Sequence, residues 1–160
     1  MNNFKLTGAS LANLEKSDQV LSLNYKFVST GYASPSGDLL ILRPRVLGDK
    51  YTYLLNLFAE KKPRKYPIQF AEATRQDDLF DITLPPGYVV DGLPGPTQAE
   101  NDIVSYHSDM KVEGSVLHYK RSLEIKAVTV PTEKLSQMKE FLQQVAADQE
   151  SAVILRRSNP

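Results

Sequence analysis

Cysteine is absent from the sequence, and that absence removes three kinds of chemistry at once. There can be no disulfide, no thiolate metal site and no cysteine nucleophile. The compartment stays open, because a cysteine-free chain persists in either redox setting. Net charge is absent as well: 19 Lys plus Arg balance 19 Asp plus Glu. No global field therefore draws the chain to nucleic acid or to an anionic membrane. No apolar run approaches the roughly 18 residues of a membrane-spanning helix. The stretch Met1-Asn2-Asn3-Phe4-Lys5 lacks the hydrophobic core of a secretion signal. Histidine is scarce, with only His107 and His118, and no Gly-x-Ser-x-Gly elbow supports serine-based hydrolysis.

What is present points to β structure. Ten prolines, eight glycines and eight tyrosines suit many short strands joined by turns. A chain of 160 residues is long enough for one domain with a real core, or for two small β modules. The clearest stretch runs from Asp102 to Ala127. Tyr106, Ser108, Met110 and Val112 alternate with His107, Asp109 and Lys111; after Glu113-Gly114, Leu117, Tyr119, Arg121, Leu123 and Ile125 alternate with His118, Lys120, Ser122, Glu124 and Lys126. Period-two alternation of this length predicts two amphipathic strands folded back at Glu113-Gly114.

The rest can be arranged around that hairpin. Residues 1 to 18, with Leu6, Leu11 and Leu14 among polar neighbours, read as a strand entry or linker. Leu21, Leu23, Tyr25 and Phe27 alternate with polar residues as a strand. Gly31 to Gly37 reads as a loop, and Leu39 to Leu42 as a short strand buried on both faces and ended by Pro44. Tyr51 to Ala59 fits both helical and strand spacing, with a lean to extended or irregular structure. Tyr66, Ile68 and Phe70 suggest a strand, as do Phe80, Ile82 and Leu84 after Asp77-Asp78. Pro85-Pro86-Gly87 and Gly92-Leu93-Pro94-Gly95-Pro96 make rigid breaks. Pro131-Thr132 opens a helix over about 132–147, capped by Thr132, with Leu135, Met138, Leu142 and Val145 on one stripe and Phe141 beside it. Ala152 to Leu155 reads as a last strand, and Arg156 to Pro160 as a solvated tail.

Candidate chemistry is sparse. A two-residue turn at Glu113-Gly114 would put Asp109 opposite His118 and His107 opposite Lys120 on the outer face. His107, Asp109 and His118 are then the set from which a metal site would be built. Lys120 beside them would repel a cation, so a mixed solvated face is the expected reading, with no metal, cofactor or catalytic residue assigned. Arg121 sits on the apolar side between Tyr119 and Leu123. A buried guanidinium must be paired, so a carboxylate or converging carbonyls should meet it, in a structural role rather than as an anion site. Lys61, Lys62, Arg64 and Lys65, with Arg43 and Arg45, form a local basic patch read as solvated rather than as a nucleic-acid surface. The tyrosines are counted as core rather than as a sugar platform.

A resemblance extends this reading. Arg64-Lys65-Tyr66-Pro67-Ile68, then Asp81-Ile82-Thr83-Leu84-Pro85-Pro86-Gly87-Tyr88, then Leu93-Pro94 recur in order. Tyr106 and Ser108, Tyr119 to Ile125, Val130-Pro131, the helix with Phe141, and Ala152 to Leu155 come after them. Together they resemble the C-terminal module of unknown function in bacterial transglutaminase-like proteins. Leu21 to Phe27, Gly31-Tyr32 and Leu39 to Arg43 are similar to the region that joins the papain-like core to that module. The resemblance implies a segment 1–60 of that joining type and a module 61–160. It implies an accessory role on an exported, periplasmic protein whose catalytic residues lie in an upstream core; a missing leader fits a segment of such a longer chain.

The fold expected is therefore mainly β, with β-sandwich-like antiparallel sheets and one C-terminal amphipathic α-helix. The function expected is non-catalytic, docking on the core or positioning its substrate, with a cell-envelope glycan- or peptide-binding module as the alternative. Structural roles fall to Arg121 as hairpin anchor, to Pro85, Pro86 and Gly87 as a turn, to Gly114 at the hairpin tip, and to Phe141 as the helix staple.

Overall fold

The computed structural model describes residues 3–47, 55, 58 and 64–158. Most of the ambiguous stretch 51–59, the lysines at 61 and 62, and the division expected at residue 60 lie outside them. The chain forms two compact units, Met1–Ser34 and Pro35–Pro160.

The first unit is a two-stranded antiparallel hairpin of β1 (Asn3–Ala12) and β2 (Ser22–Thr30). The register pairs Leu11 with Leu23, Ala9 with Tyr25, Leu6 with Phe27 and Phe4 with Ser29, and it shifts between Leu6 and Gly8. That bulge at Thr7 switches the parity of β1. Phe4 and Leu6 thereby share a face with Ala9 and Leu11, although the odd-even pattern breaks between them. Sequence alternation alone made this segment a strand entry or linker; the bulge is why a ten-residue strand escaped it. The connecting loop is held at its neck by Asn13, at a φ of 65°, whose side-chain amide donates to the Val20 carbonyl at 2.9 Å.

The second unit contains β3 (Ser34–Ser36, beginning at the last residue of the first unit), β4 (Leu39–Leu42), β5 (Ile68–Gln69), β6 (Thr74–Thr83), β7 (Tyr88–Gly92) and β8 (Thr97–Glu100). These are succeeded by β9 (Val104–Glu113), β10 (Val116–Ile125), β11 (Thr129–Val130), helix α1 (Leu135–Glu150) and β12 (Val153–Arg157). One sheet runs β6-β10-β9-β8, another β3-β4-β12-β7, and β11 pairs β5; β6–β10, β10–β9, β9–β8, β4–β12, β12–β7 and β11–β5 are antiparallel. The fold is mainly β with one C-terminal helix, as expected.

The central hairpin β9–β10 forms as its alternation predicts, with its tip one residue further on. Glu113 pairs with Val116, so Gly114-Ser115 is the turn, and Gly114 takes the positive φ of 60° that the turn requires. Helix α1 lays Met138, Phe141, Leu142 and Val145 on a core shared with Ile68, Val104, Tyr106, Leu123 and Val130. Full burial of such side chains contributes about 1.5–3 kcal/mol each. Thr132 does not cap α1: Thr132–Lys134 is a 3-10 turn closed by the Lys134 amide donating to the Pro131 carbonyl at 3.0 Å. Its hydroxyl donates instead to the Glu133 carboxylate at 3.3 Å.

Three further strands, β7, β8 and β12, differ from the sequence pattern. β7 and β8 occupy stretches rich in proline and glycine nearby, where short strands between turns leave little alternation to detect. β12 extends through Arg157, so Arg156 and Arg157 lie in a strand rather than a tail; Arg156 Nε meets Asp91 at 3.0 Å and Arg157 lies 6.0 Å from the Tyr88 ring centroid. β4 pairs with β12, which makes residues 39–42 part of the C-terminal unit.

Candidate functional site

The buried polar residues come first, since burial makes them costly and therefore informative. The strand register places Thr97, Ser108, Arg121 and Asp78 in one row across β8, β9, β10 and β6. Arg121 is 2% exposed, and its Nη1 donates to Asp78 Oδ2 at 2.6 Å. The carboxylate expected for it is thus Asp78 of β6. The guanidinium also lies 5.5 Å from the centroid of the Tyr106 ring, within cation–π range. From the last turn of α1, Asp148 accepts from Thr97 Oγ1 at 2.8 Å and from Tyr106 Oη at 2.5 Å. Burial, and then the hydrogen bond to Asp148, raise the Tyr106 phenol above its usual pKa. Arg45, also buried, is pushed down by desolvation and then by the charge of Arg121. The network ties the end of the helix to the sheet and β10 to β6. Asp148 carried a signal that sequence reasoning passed over: it continues the helical core spacing of Phe141 and Val145, where a carboxylate must have a partner.

The histidines lie on the other face of the same sheet. The actual tip moves the pairing, so His118 faces Lys111, Asp109 faces Lys120 and His107 faces Ser122. The predicted facing of Asp109 and His118 does not occur. His118 Nδ1 instead meets Asp81 of β6 at 2.7 Å, and its Nε2 is 3.8 Å from Glu113 Oε2. Glu113 is itself paired with Lys111 Nζ at 2.6 Å, and this hydrogen bond holds its carboxyl below the usual range. Among the described residues no three His, Asp or Glu gather as a metal site would need. The basic stretch is divided likewise: Arg45 is interior, Arg43 Nε lies 3.5 Å from Glu150, and Lys65 and Tyr66 are exposed.

Gly87 adopts a φ of 78° after exposed Pro85 and Pro86, and its carbonyl accepts from the Ser158 amide at 2.9 Å. Phe141 is buried beneath the sheet. It helps line a cavity of about 10 Å³ with Phe70, Val104, Leu123, Ile125, Met138, Leu142 and Val145. An apolar space this small offers a water no partner and a ligand no room, so it is a packing gap.

The most unusual surface belongs to the first unit. One face of its hairpin carries Phe4, Leu6, Ala9 and Leu11 beside Leu23, Tyr25, Phe27 and Ser29, with no charge among them. Leu6 is 63% exposed and Leu23 64%. Lys5, Ser10, Asn24 and Lys26 lie on the opposite face. Phe4 meets Phe27 at 5.3 Å and 68°, and Tyr32 at 5.9 Å and 60°. Sequence reasoning saw the β2 half of this face and missed the β1 half.

A family described as a domain of unknown function with solved structure (DUF3858) matches residues 38–155. The chain belongs to that family. None of the curated proteins compared matches this DUF3858 chain. Among solved structures, it is similar to a crystal structure of a protein from Parabacteroides distasonis ATCC 8503 described as a putative protease, at a TM-score of 0.57 and 10% identity. The likeness covers 74% of this chain and 23% of that one, and it shows a shared fold. The DUF3858 chain therefore spans less than a quarter of that protein's length. Residues 1–37, and with them the exposed hairpin face, precede the family match.

Proposed function

We propose that this DUF3858 chain is a non-catalytic accessory domain of an exported, periplasmic transglutaminase-like protein, docking on its catalytic core and helping to position substrate there. The observation that carries the reading is the uncharged apolar face of the β1–β2 hairpin, on which Phe4, Leu6, Leu11 and Leu23 are exposed. Apolar patches of this kind mark contact surfaces. The similarity to a domain-sized part of a much longer protein supports a role within a larger polypeptide. The buried Arg121–Asp78 and Tyr106–Asp148 contacts fit a structural role, since both join groups of this chain to each other inside the fold.

A glycan-binding module would stack sugars on a flat aromatic platform. The rings of Phe4, Phe27 and Tyr32 meet edge to face, which suits apolar packing better.

Calorimetric titration of this chain with the upstream catalytic region of its parent protein tests the reading. Saturable heat with a negative heat-capacity change supports docking through apolar burial. Absence of heat at high micromolar concentrations of both components refutes it.

A further inference from the structure

The hairpin presents Phe4, Leu6 and Leu11 beside Leu23, Tyr25 and Phe27 on one face, and a two-stranded hairpin standing alone is marginal in water. Its order calls for a cover. We propose that the cover is an uncharged, apolar surface of a neighbouring domain on the same polypeptide, so that the hairpin is the docking element of the accessory domain; this rests on the function proposed above.

Area and charge choose the occupant. Strands of 10 and 9 residues at about 3.3 Å per residue and about 4.8 Å apart make a face of roughly 300 Å². A stable complex between separate chains buries about 800 Å² on each partner, so two such hairpin faces pressed together fall well short. A covalently attached neighbour needs less, because tethering supplies a local concentration on the order of millimolar, and interdomain contacts begin near 600 Å² in total. The face offers no charge, so its complement is apolar rather than acidic or basic.

The test compares thermolysin cleavage within residues 4–30 in this chain and in the full-length polypeptide that carries it, each also as the Leu23→Asp, Phe27→Asp double variant. The unmodified full-length chain should be cut at least a hundredfold more slowly in the hairpin than this chain, and the double variant should restore rapid cutting without changing residues 35–160. Equal hairpin cutting in both unmodified chains overturns the inference. Thermal unfolding of the full-length chain separates that failure from failure of the accessory reading. If residues 35–160 melt together with the upstream region while the hairpin is cut freely, docking stands and uses another surface. If they melt independently, at the midpoint of this chain alone, the accessory reading fails too. Hairpin protection in this chain at concentrations where it sediments as a dimer, lost in the double variant, assigns the face to a second copy and overturns the inference. Protection conferred on this chain by phosphatidylglycerol vesicles overturns it in favour of a lipid surface.

Discussion

Two hairpins in this chain have nearly the same local design and opposite fates. In β9–β10, alternation gives an apolar face that is covered: Leu117 is 0% exposed and Tyr119 2%. In β1–β2, register and bulge assemble a comparable face of leucines and aromatic rings, on which Phe4, Leu6, Leu11 and Leu23 stay exposed. Both hairpins satisfy their cross-strand hydrogen bonds, so pairing does not distinguish them. The difference lies in an element that the chain supplies further on. After β10 and the short β11 comes α1, whose Met138, Phe141, Leu142 and Val145 share a core with Leu123 and Tyr106. Alternation therefore specifies a strand and its apolar side, while the cover is encoded elsewhere.

The comparison can be broken by substitution, beginning where the effect should be greatest. Arg121→Ala leaves Asp78 without its buried partner and should cost about 3–5 kcal/mol in chemical denaturation. A cost below 1 kcal/mol would show that the buried pair does not anchor the sheet. Identical chemistry in the two regions gives a sharper contrast. Leu142→Ala empties part of the core and should cost about 2–5 kcal/mol, whereas Leu23→Ala on the exposed face should stay within about 0.5 kcal/mol in this chain. Similar costs at the two positions would mean that the hairpin face is already packed.

Tyr106→Phe keeps the ring and removes the hydroxyl that donates to Asp148; leaving that acceptor unsatisfied should cost about 1–3 kcal/mol. It should also flatten the alkaline limb of stability. The folded phenol titrates above its ordinary value of 10.0, so the unfolded state ionises first as pH rises. Stability from this group is complete below pH 10.0 and is lost above it. Tyr119, raised chiefly by burial, contributes to the same limb and would remain in the variant. Denaturation midpoints across pH 9 to 12 would check the slope. A small effect is also expected on the outer face, where His107→Ala with His118→Ala should change stability by less than about 1 kcal/mol. A larger loss would give the His118–Asp81 contact a structural weight that its exposure argues against.

Range decides how much of this was legible in the residues. The hairpin β9–β10, helix α1 and the inward placement of Arg121 were readable because period-two and 3.6-residue patterns are local. The register at Gly114-Ser115 was not, because Glu113-Gly114 and Gly114-Ser115 are both plausible two-residue turns in sequence and differ only in how the strands close. That single step separated Asp109 from His118. The bulge at Thr7 hid β1 by breaking the parity on which strand recognition depends. Asp78 as the partner of Arg121 and Asp148 as the partner of Tyr106 are 43 and 42 residues away in sequence, beyond the reach of any periodicity. The open face itself needed the register before its residues could be gathered on one side.

The most direct measurement of the central claim is amide hydrogen exchange on this 160-residue chain alone. The account predicts that amides bonded across β9 and β10 exchange about a thousandfold or more slowly than an unfolded chain, near the limit set by global unfolding. It predicts that amides paired across β1 and β2 exchange close to the unfolded rate, because a two-stranded hairpin whose Phe4, Leu6, Leu11 and Leu23 are exposed is marginal by itself. Equal, strong protection of both hairpins in the monomer would contradict it, and would mean that the first hairpin has no need of a partner.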